Sequence, residues 1–170
     1  DTIREACEAL DRDVTDIFLM HEVRSGQLED RQGAWNALLD AKAAGKVRAI
    51  GLSTHHVDVT QAAAAMPELD VVFPLLNYAG LGIRITDEDG KERFAKPEEM
   101  LEYIYKYNVE IQTVPEDEIL NARAALAEKG VFCEHTTAGT YAAYLAYCKK
   151  HGKTSDALLP MCGAGLKSEH

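Results

Sequence analysis

Four of the six histidines follow apolar runs at the point where the chain turns toward a helix: His21, His55, His56 and His135. In a sheet of parallel strands, ligands bind beyond the C-terminal ends of the strands, so residues at those positions are the first candidates for chemistry. They are His21 and Glu22 after the first run, Ser53, Thr54, His55 and His56 after the second, and Asn77 and Tyr78 after the third. Glu134, His135, Thr136 and Thr137 follow a fifth run, and Cys162 to Ser168 a sixth. An imidazole at such an edge can move a proton, and a thiol such as Cys162 can act as a nucleophile if a base stands within hydrogen-bond reach. Metal binding requires three or four converging ligands, and no HxH, HExxH or CxxC spacing supplies a nucleus for them, so no metal is expected. The closing stretch "CGAGLKS", with Gly163 and Gly165, could turn its backbone N–H groups toward an anion. It lacks the spacing of a phosphate-binding loop, however, and no helix pattern follows it. The plain alternative for most of these residues is the capping of strand ends and helix starts.

The elements that must hold these residues alternate regularly. "TDIFLMHEV" (15–23), "VRAIGLSTH" (47–55) and "LDVVFPLLN" (69–77) read as buried strands, with Pro74 an irregularity because proline removes a ladder donor. "RQGAWNALLDAKAAGK" (31–46) and "DVTQAAAAM" (58–66) read as helices closed by Gly45 and Pro67. The segment 78–95 breaks the rhythm with three glycines and a "DEDG" turn signal, and is the best candidate for a seam. Alternation then resumes: helices over 96–108, 116–130 and 140–153, strands over 109–115, 131–136 and 157–165. Six strands separated by helices predict an α/β fold, an open three-layer α/β/α sandwich with a mainly parallel sheet of five or six strands in one domain of 170 residues. A closed (β/α)8 barrel needs eight strands, so the second possibility is a half-barrel completed by dimerisation.

Composition narrows the partners. A net charge of −10 argues against a basic face for nucleic acid or anionic membranes, and no apolar run is long enough to span a bilayer. Cys7, Cys133, Cys148 and Cys162 are scattered, which predicts reduced thiols and a cytoplasmic setting, with a monomer or homodimer as the assembly. The start at Asp1, already within a helical pattern, suggests either a removed start or a cut from something longer, and the final "EH" the beginning of a purification tag.

The phrases "DIFLMHEV", "AWNALLDAKAAGKVRAIGLSTHHV" and "PELDVVFPLLNYAGLGIR" resemble the aldo-keto reductases over about residues 1–84, at strands four to six of their (β/α)8 barrel. The resemblance implies that His21 stands at the catalytic histidine and Ser53 where a serine holds the nicotinamide amide. Thr54 stands where many members have Asn, and Phe73 where many have Gln. The family's catalytic Asp, Tyr and Lys belong to earlier strands, so the resemblance implies a vestigial His21 rather than a working catalytic set.

"VEIQTVPEDEILNARAALAEKGVFCEHTTAGTYAAYLAY" and "LLPMCGAGLKS" are similar to the C-terminal part of fold-type II pyridoxal-phosphate enzymes of the threonine synthase and tryptophan synthase β kind, over about 85–170. This implies vestigial cofactor-bed positions at Glu134, Cys162, Gly163 and Gly165, with His135 replacing the usual Pro. The Schiff-base lysine and the phosphate loop have no counterpart here, so no bound cofactor is expected. Two such halves in one chain are most simply explained as an engineered chimera, a scaffold that tests recombination of fragments between folds and has no catalytic activity. The alternatives are a residual nucleotide- or pyridoxal-phosphate-binding module and a truncated reductase-like oxidoreductase.

Overall fold

The computed structural model describes residues 2–77, 79–155 and 157–168. Tyr78, one of the strand-end candidates, lies outside the described residues. The chain divides into two compact units, residues 1–108 and 109–170. Among the described residues, no helix is long and apolar enough to cross a membrane.

The first unit opens with α1 (Thr2–Ala9), β1 (Thr15–Met20), a short α2 (Gln27–Asp30), α3 (Gln32–Ala43) and β2 (Val47–Thr54). It continues through α4 (Val57–Ala64), β3 (Val71–Pro74), β4 (Arg84–Thr86), β5 (Glu92–Phe94) and α5 (Pro97–Lys106). The strands β1, β2 and β3 form a parallel sheet in that order, and β4 and β5 an antiparallel pair. The register sets Phe18 beside Ile50 and Met20 beside Leu52, with Leu52 also beside Val72. Side chains alternate across a sheet, so these residues share one face, on which Trp35 and Leu38 of α3 and Val59 and Ala63 of α4 complete the buried core. Full burial of Ile50 and Leu52 contributes roughly 2 kcal/mol each as an upper figure. The opposite face, which includes Ile17 and Phe73, leaves those two side chains 40% and 38% exposed.

Local signals explain the ends of these elements. After α3, Gly45 takes φ +69° while its N–H donates to Lys42 O and the Lys46 N–H donates to Ala41 O, a Schellman closure that hands the chain to β2. Pro74 is tolerated because it closes the edge strand β3. Asp70 extends the β2–β3 pairing: its N–H donates to Ile50 O, and its carboxylate accepts from Ile50 N–H at 2.8 Å and from Lys42 Nζ at 2.6 Å. These contacts, the Lys42 hydrogen bond foremost, hold the Asp70 carboxyl below its ordinary pKa.

The segment 78–95, expected to be a seam, instead supplies the β4–β5 hairpin, and the units divide at 108/109. The hairpin closes at Gly90, φ +76°, with Asp87 accepting from Gly90 N–H at 2.8 Å. Ile83, Ala95 and Met100 form a second small core beneath it. Glu99, three residues into α5, accepts from Lys96 N–H at 2.8 Å and holds the Arg93 guanidinium through both oxygens. This is the return half of a capping box, and the bond from Arg93, followed by that from Lys96, pulls the Glu99 carboxyl down to about 2.

In the second unit α6 (Glu116–Ala127) and α7 (His135–His151) pair, and a 3-10 turn (Gly165–Ser168) ends the described chain. The strands expected over 109–115, 131–136 and 157–165 are absent among the described residues; what exists is one isolated bridge between Cys133 and Ala164. The parallel sheet therefore has three strands instead of five or six. Apolar content does not make a strand without a ladder partner, and Val109 and Ile111 remain about two-fifths exposed, at 40% and 41%. Leu126, Cys133 and Ala138 form the buried core of this unit.

Two predictions follow from this packing. At Gly51 a side chain would overlap the carbonyl oxygen of Val71 on the neighbouring strand; Gly51→Ala should lower the unfolding free energy by about 3 kcal/mol in urea titration. Because the folded Glu99 pKa is depressed from 4.5 to about 2, its stabilisation is present above 4.5 and is lost as pH falls toward 2. Glu99→Gln should reduce the acid-side loss of stability, read as a flatter dependence of the unfolding midpoint on pH over that window.

Candidate functional site

β1 and β2 pair in parallel, so their C-terminal ends lie side by side and bring the residues that follow them together. His21 Nδ1 stands 3.2 Å from Ser53 Oγ, and Glu22 N–H donates to the same oxygen at 3.0 Å. Either the Ser53 hydroxyl donates to His21 Nδ1, with the imidazole proton on Nε2, or an Nδ1–H donates to Ser53 Oγ, according to the tautomer. His21 is exposed and Ser53 half-buried. In either arrangement the Ser53 hydroxyl holds the imidazole at the sheet edge.

The loop carrying His21 is held by main-chain bonds. Val23 N–H donates to Ser53 O at 2.8 Å, Thr54 Oγ1 donates to Val23 O at 2.6 Å, and Arg31 donates to His21 O at 3.0 Å. Glu22 adopts φ +48°, a left-handed conformation uncommon for a residue with a side chain, which lets the loop turn sharply after β1. Glu22 pairs with Arg24 at 3.1 Å, and this hydrogen bond is the first cause of its lowered carboxyl pKa, with smaller contributions from His55 and His21. A hollow of about 380 Å³ beside His21 is lined by Glu22, Arg24, Gln27, Asp30 and Arg31. A larger hollow of about 680 Å³ involves α1 and Lys46, at the other end of the strands.

The other strand-end candidates take different roles. Thr54 is buried; besides its bond to Val23 it accepts from His56 N–H at 3.0 Å. His55 is exposed, and its carbonyl accepts from Arg84 N–H at 2.7 Å. Phe73 lies directly beside Ser53 in the register, and Asn77 binds Leu81 through both its amide nitrogen and its oxygen. His56 is buried and bonded to Ser25, a residue that strand-end sorting missed because it lies five residues beyond β1. Only the parallel register shows that a loop residue this far along reaches the start of α4.

In the second unit Glu134 is the residue before α7 rather than the end of a strand, and His135, Thr136 and Thr137 form the first turn of that helix. Cys162 is exposed, with its N–H donating to Thr137 Oγ1 at 3.2 Å. Side chains added at Gly163 and Gly165 would collide with the Glu134 carboxylate and the Phe132 ring. Those glycines let the tail lie against its own unit, with Glu134 N–H donating to Gly163 O at 2.9 Å and Gly165 N–H to Phe132 O at 3.1 Å. Their backbone approach is thus taken up by protein groups. Among the described residues no set of three His, Cys, Asp or Glu side chains is placed to hold a metal, and none of the four cysteines forms a disulfide.

Residues 1–115 match the Aldo/keto reductase family. The chain belongs to the aldo/keto reductase family. The match runs well past residue 84, where the resemblance was expected to stop, and takes in the β4–β5 hairpin and α5. No curated protein matches the chain. Among solved structures it is similar to the crystal structure of Gox0644 at apoform, with 18% identity and a TM-score of 0.34. That similarity covers 90% of this chain and 45% of the other, so this chain spans less than half the length of that structure.

Within this aldo/keto reductase unit, Ser53 is the common partner of His21 and Glu22. Ser53→Ala should raise the exchange rate of the Glu22 amide about fivefold, the loss of one hydrogen bond of about 1 kcal/mol, while the far-ultraviolet circular dichroism stays unchanged. Amide exchange followed by NMR reads both the site and the rest of the fold.

Proposed function

We propose that residues 1–115 carry the part of an aldo/keto reductase oxidoreductase site that faces a nicotinamide amide and a carbonyl oxygen, and that these 170 residues alone do not turn over. The observation that supports this reading most directly is Ser53 Oγ placed between His21 Nδ1 and Glu22 N–H at the sheet's C-terminal edge. The residues present fit one end of the cofactor. Ser53 Oγ accepts from Glu22 N–H and keeps one lone pair, and His21 with Nδ1 accepting from Ser53 carries its proton on Nε2. When bound, the nicotinamide would supply the hydride. His21 would then orient a carbonyl oxygen through Nε2–H, and Ser53 would hold both the imidazole and the amide group. In the family resemblance the Asp, Tyr and Lys that complete proton transfer come from earlier strands, and no residue of this sequence is assigned to them.

A second reading is favoured by one feature of the chain. The family match ends at residue 115, close to the division between the compact units at 108/109. This supports a chain of two origins: an engineered chimera in which a reductase fragment is joined to a piece similar to a pyridoxal-phosphate enzyme, serving as a scaffold without catalysis. Such a scaffold would be a monomer or homodimer working in cytoplasm-like conditions.

Fluorescence titration separates the two. The reductase reading expects weak, saturable quenching by NADPH that Ser53→Ala weakens roughly fivefold, again one hydrogen bond, with no NADPH oxidation when an aldehyde is added. Absence of saturable NADPH binding would overturn it. Saturable binding of either NADPH or pyridoxal phosphate would overturn the empty scaffold, the latter in favour of a residual binding module.

A further inference from the structure

The hydroxyl of Ser25 is a point where three segments of the first unit meet. It lies 2.9 Å from His56 Nδ1, 2.9 Å from Asp58 Oδ1 and 3.3 Å from Thr86 Oγ1. These atoms belong to the loop after β1, the start of α4 and the end of β4. A serine hydroxyl carries one proton, and an ionised carboxylate only accepts. The 2.9 Å contact to Asp58 therefore takes the Ser25 proton. His56 Nδ1 and Thr86 Oγ1 must then both donate to Ser25 Oγ, which fixes His56 as the Nδ1–H tautomer. The imidazole is 3% exposed. Its other charged neighbour is Glu92 on β5, with Oε1 at 3.5 Å from Nδ1, and Arg84 holds the second oxygen of Glu92 at 3.2 Å.

The same loop carries His21. Between His21 and Ser25 stands Val23, fully buried and bonded through both its N–H and its carbonyl to Ser53 and Thr54. The loop is thus tied at Glu22, Val23 and Ser25, and the last tie is made to a group that the hairpin also holds.

We propose that Ser25 and His56 form a latch that couples the β4–β5 hairpin to the loop carrying His21, so that movement of the hairpin changes how His21 and Ser53 meet. A coupling of this kind needs a contiguous physical connection and a measurement of coupling rather than proximity alone. Here the connection runs from Thr86 and Glu92 to Ser25 and His56, then through Val23 and Glu22 to Ser53 and His21. The hairpin meets the rest of the unit at this point through Arg84 N–H to His55 O, Thr86 to Ser25 and Glu92 to His56. The site's importance rests on the reading under Proposed function, but the latch itself is tested without cofactor, so its failure leaves that reading untouched.

The test is a double-mutant cycle on the full chain, labelled with ¹⁵N and followed by NMR. Thr86→Val should shift the His21 ring resonances and speed exchange of the Glu22 amide about tenfold, the size of an ordinary coupling between residues sharing one network. In a Ser25→Ala background the same substitution should leave both unchanged. The His56 ring nitrogens should show the proton on Nδ1. If Ser25→Ala does not fold, His56→Asn, which can present an N–H near the Nδ1 position, should keep the Thr86→Val effect, and His56→Leu should lose it. Equal Thr86→Val effects with and without Ser25, no effect in the unsubstituted protein, equal effects in the two His56 variants, or a neutral ring protonated on Nε2 would each overturn the latch.

Discussion

The first unit depends on β2, the strand paired on both sides. Gly51 has no side chain to keep Val71 away, so β3 can approach, and Ile50 and Leu52 on either side of it project into the core against α3 and α4. From the end of β2 to the start of α4 the chain then delivers four consecutive residues, Ser53 and Thr54 to the loop after β1, His55 to Arg84 and His56 to Ser25. The alternation of a strand separates these duties: Ser53 lies on the face opposite Leu52, and Thr54 lies on the core side. One strand therefore both fills the core and sets the candidate site. A disturbance of its pairing would reach both.

Around that strand the site is built mainly from backbone. Ser53 offers its carbonyl to Val23 and its hydroxyl to Glu22 N–H, and Thr54 ties Val23 from the other side. Such bonds give a loop a defined shape without a large core beneath it, because buried backbone groups are costly when left unpaired. His21 is exposed and its ring is bonded to Ser53, so its position depends on how the rest of the loop is held. The hairpin beyond β3 adds a further layer, with Thr86 and Glu92 facing Ser25 and His56. Charge near this edge is mixed, with Glu22 paired to Arg24 and Glu92 to Arg84.

The second unit follows other physics. Its helix pair buries small residues, Ala122, Ala138 and Ala142, of which Ala138 clusters with Leu126 and Cys133, and its tail is held by a bridge at Ala164. Arg123 links the turn before α7 to the tail by donating to Cys133 O at 3.1 Å and Gly165 O at 3.2 Å, while its guanidinium lies over the Phe132 ring. Glycine there serves close packing. A glycine-rich stretch read without its neighbours looks like an anion cradle, because the permissive backbone is the same in both settings.

The sequence by itself determined the α/β class, the helices at α3, α4, α5 and α6 to within a few residues, the three strands of the sheet, and the likeness of residues 1–84 to an aldo/keto reductase. These rest on local causes: apolar periodicity, Gly45 and Gly130 as helix closers, acidic first turns at Pro97 and Glu116. It also placed His21 and Ser53 at the ends of successive strands. Only the tertiary structure decided which apolar runs became strands, since "VEIQTVP" forms none and "VFCEHT" pairs through a single isolated bridge at Cys133. It alone joined Ser25 to His56 and Thr86, residues 31 and 61 positions away in sequence. Pairing and proton sharing are relations between distant segments, and a linear pattern carries the types of the residues but not their meeting.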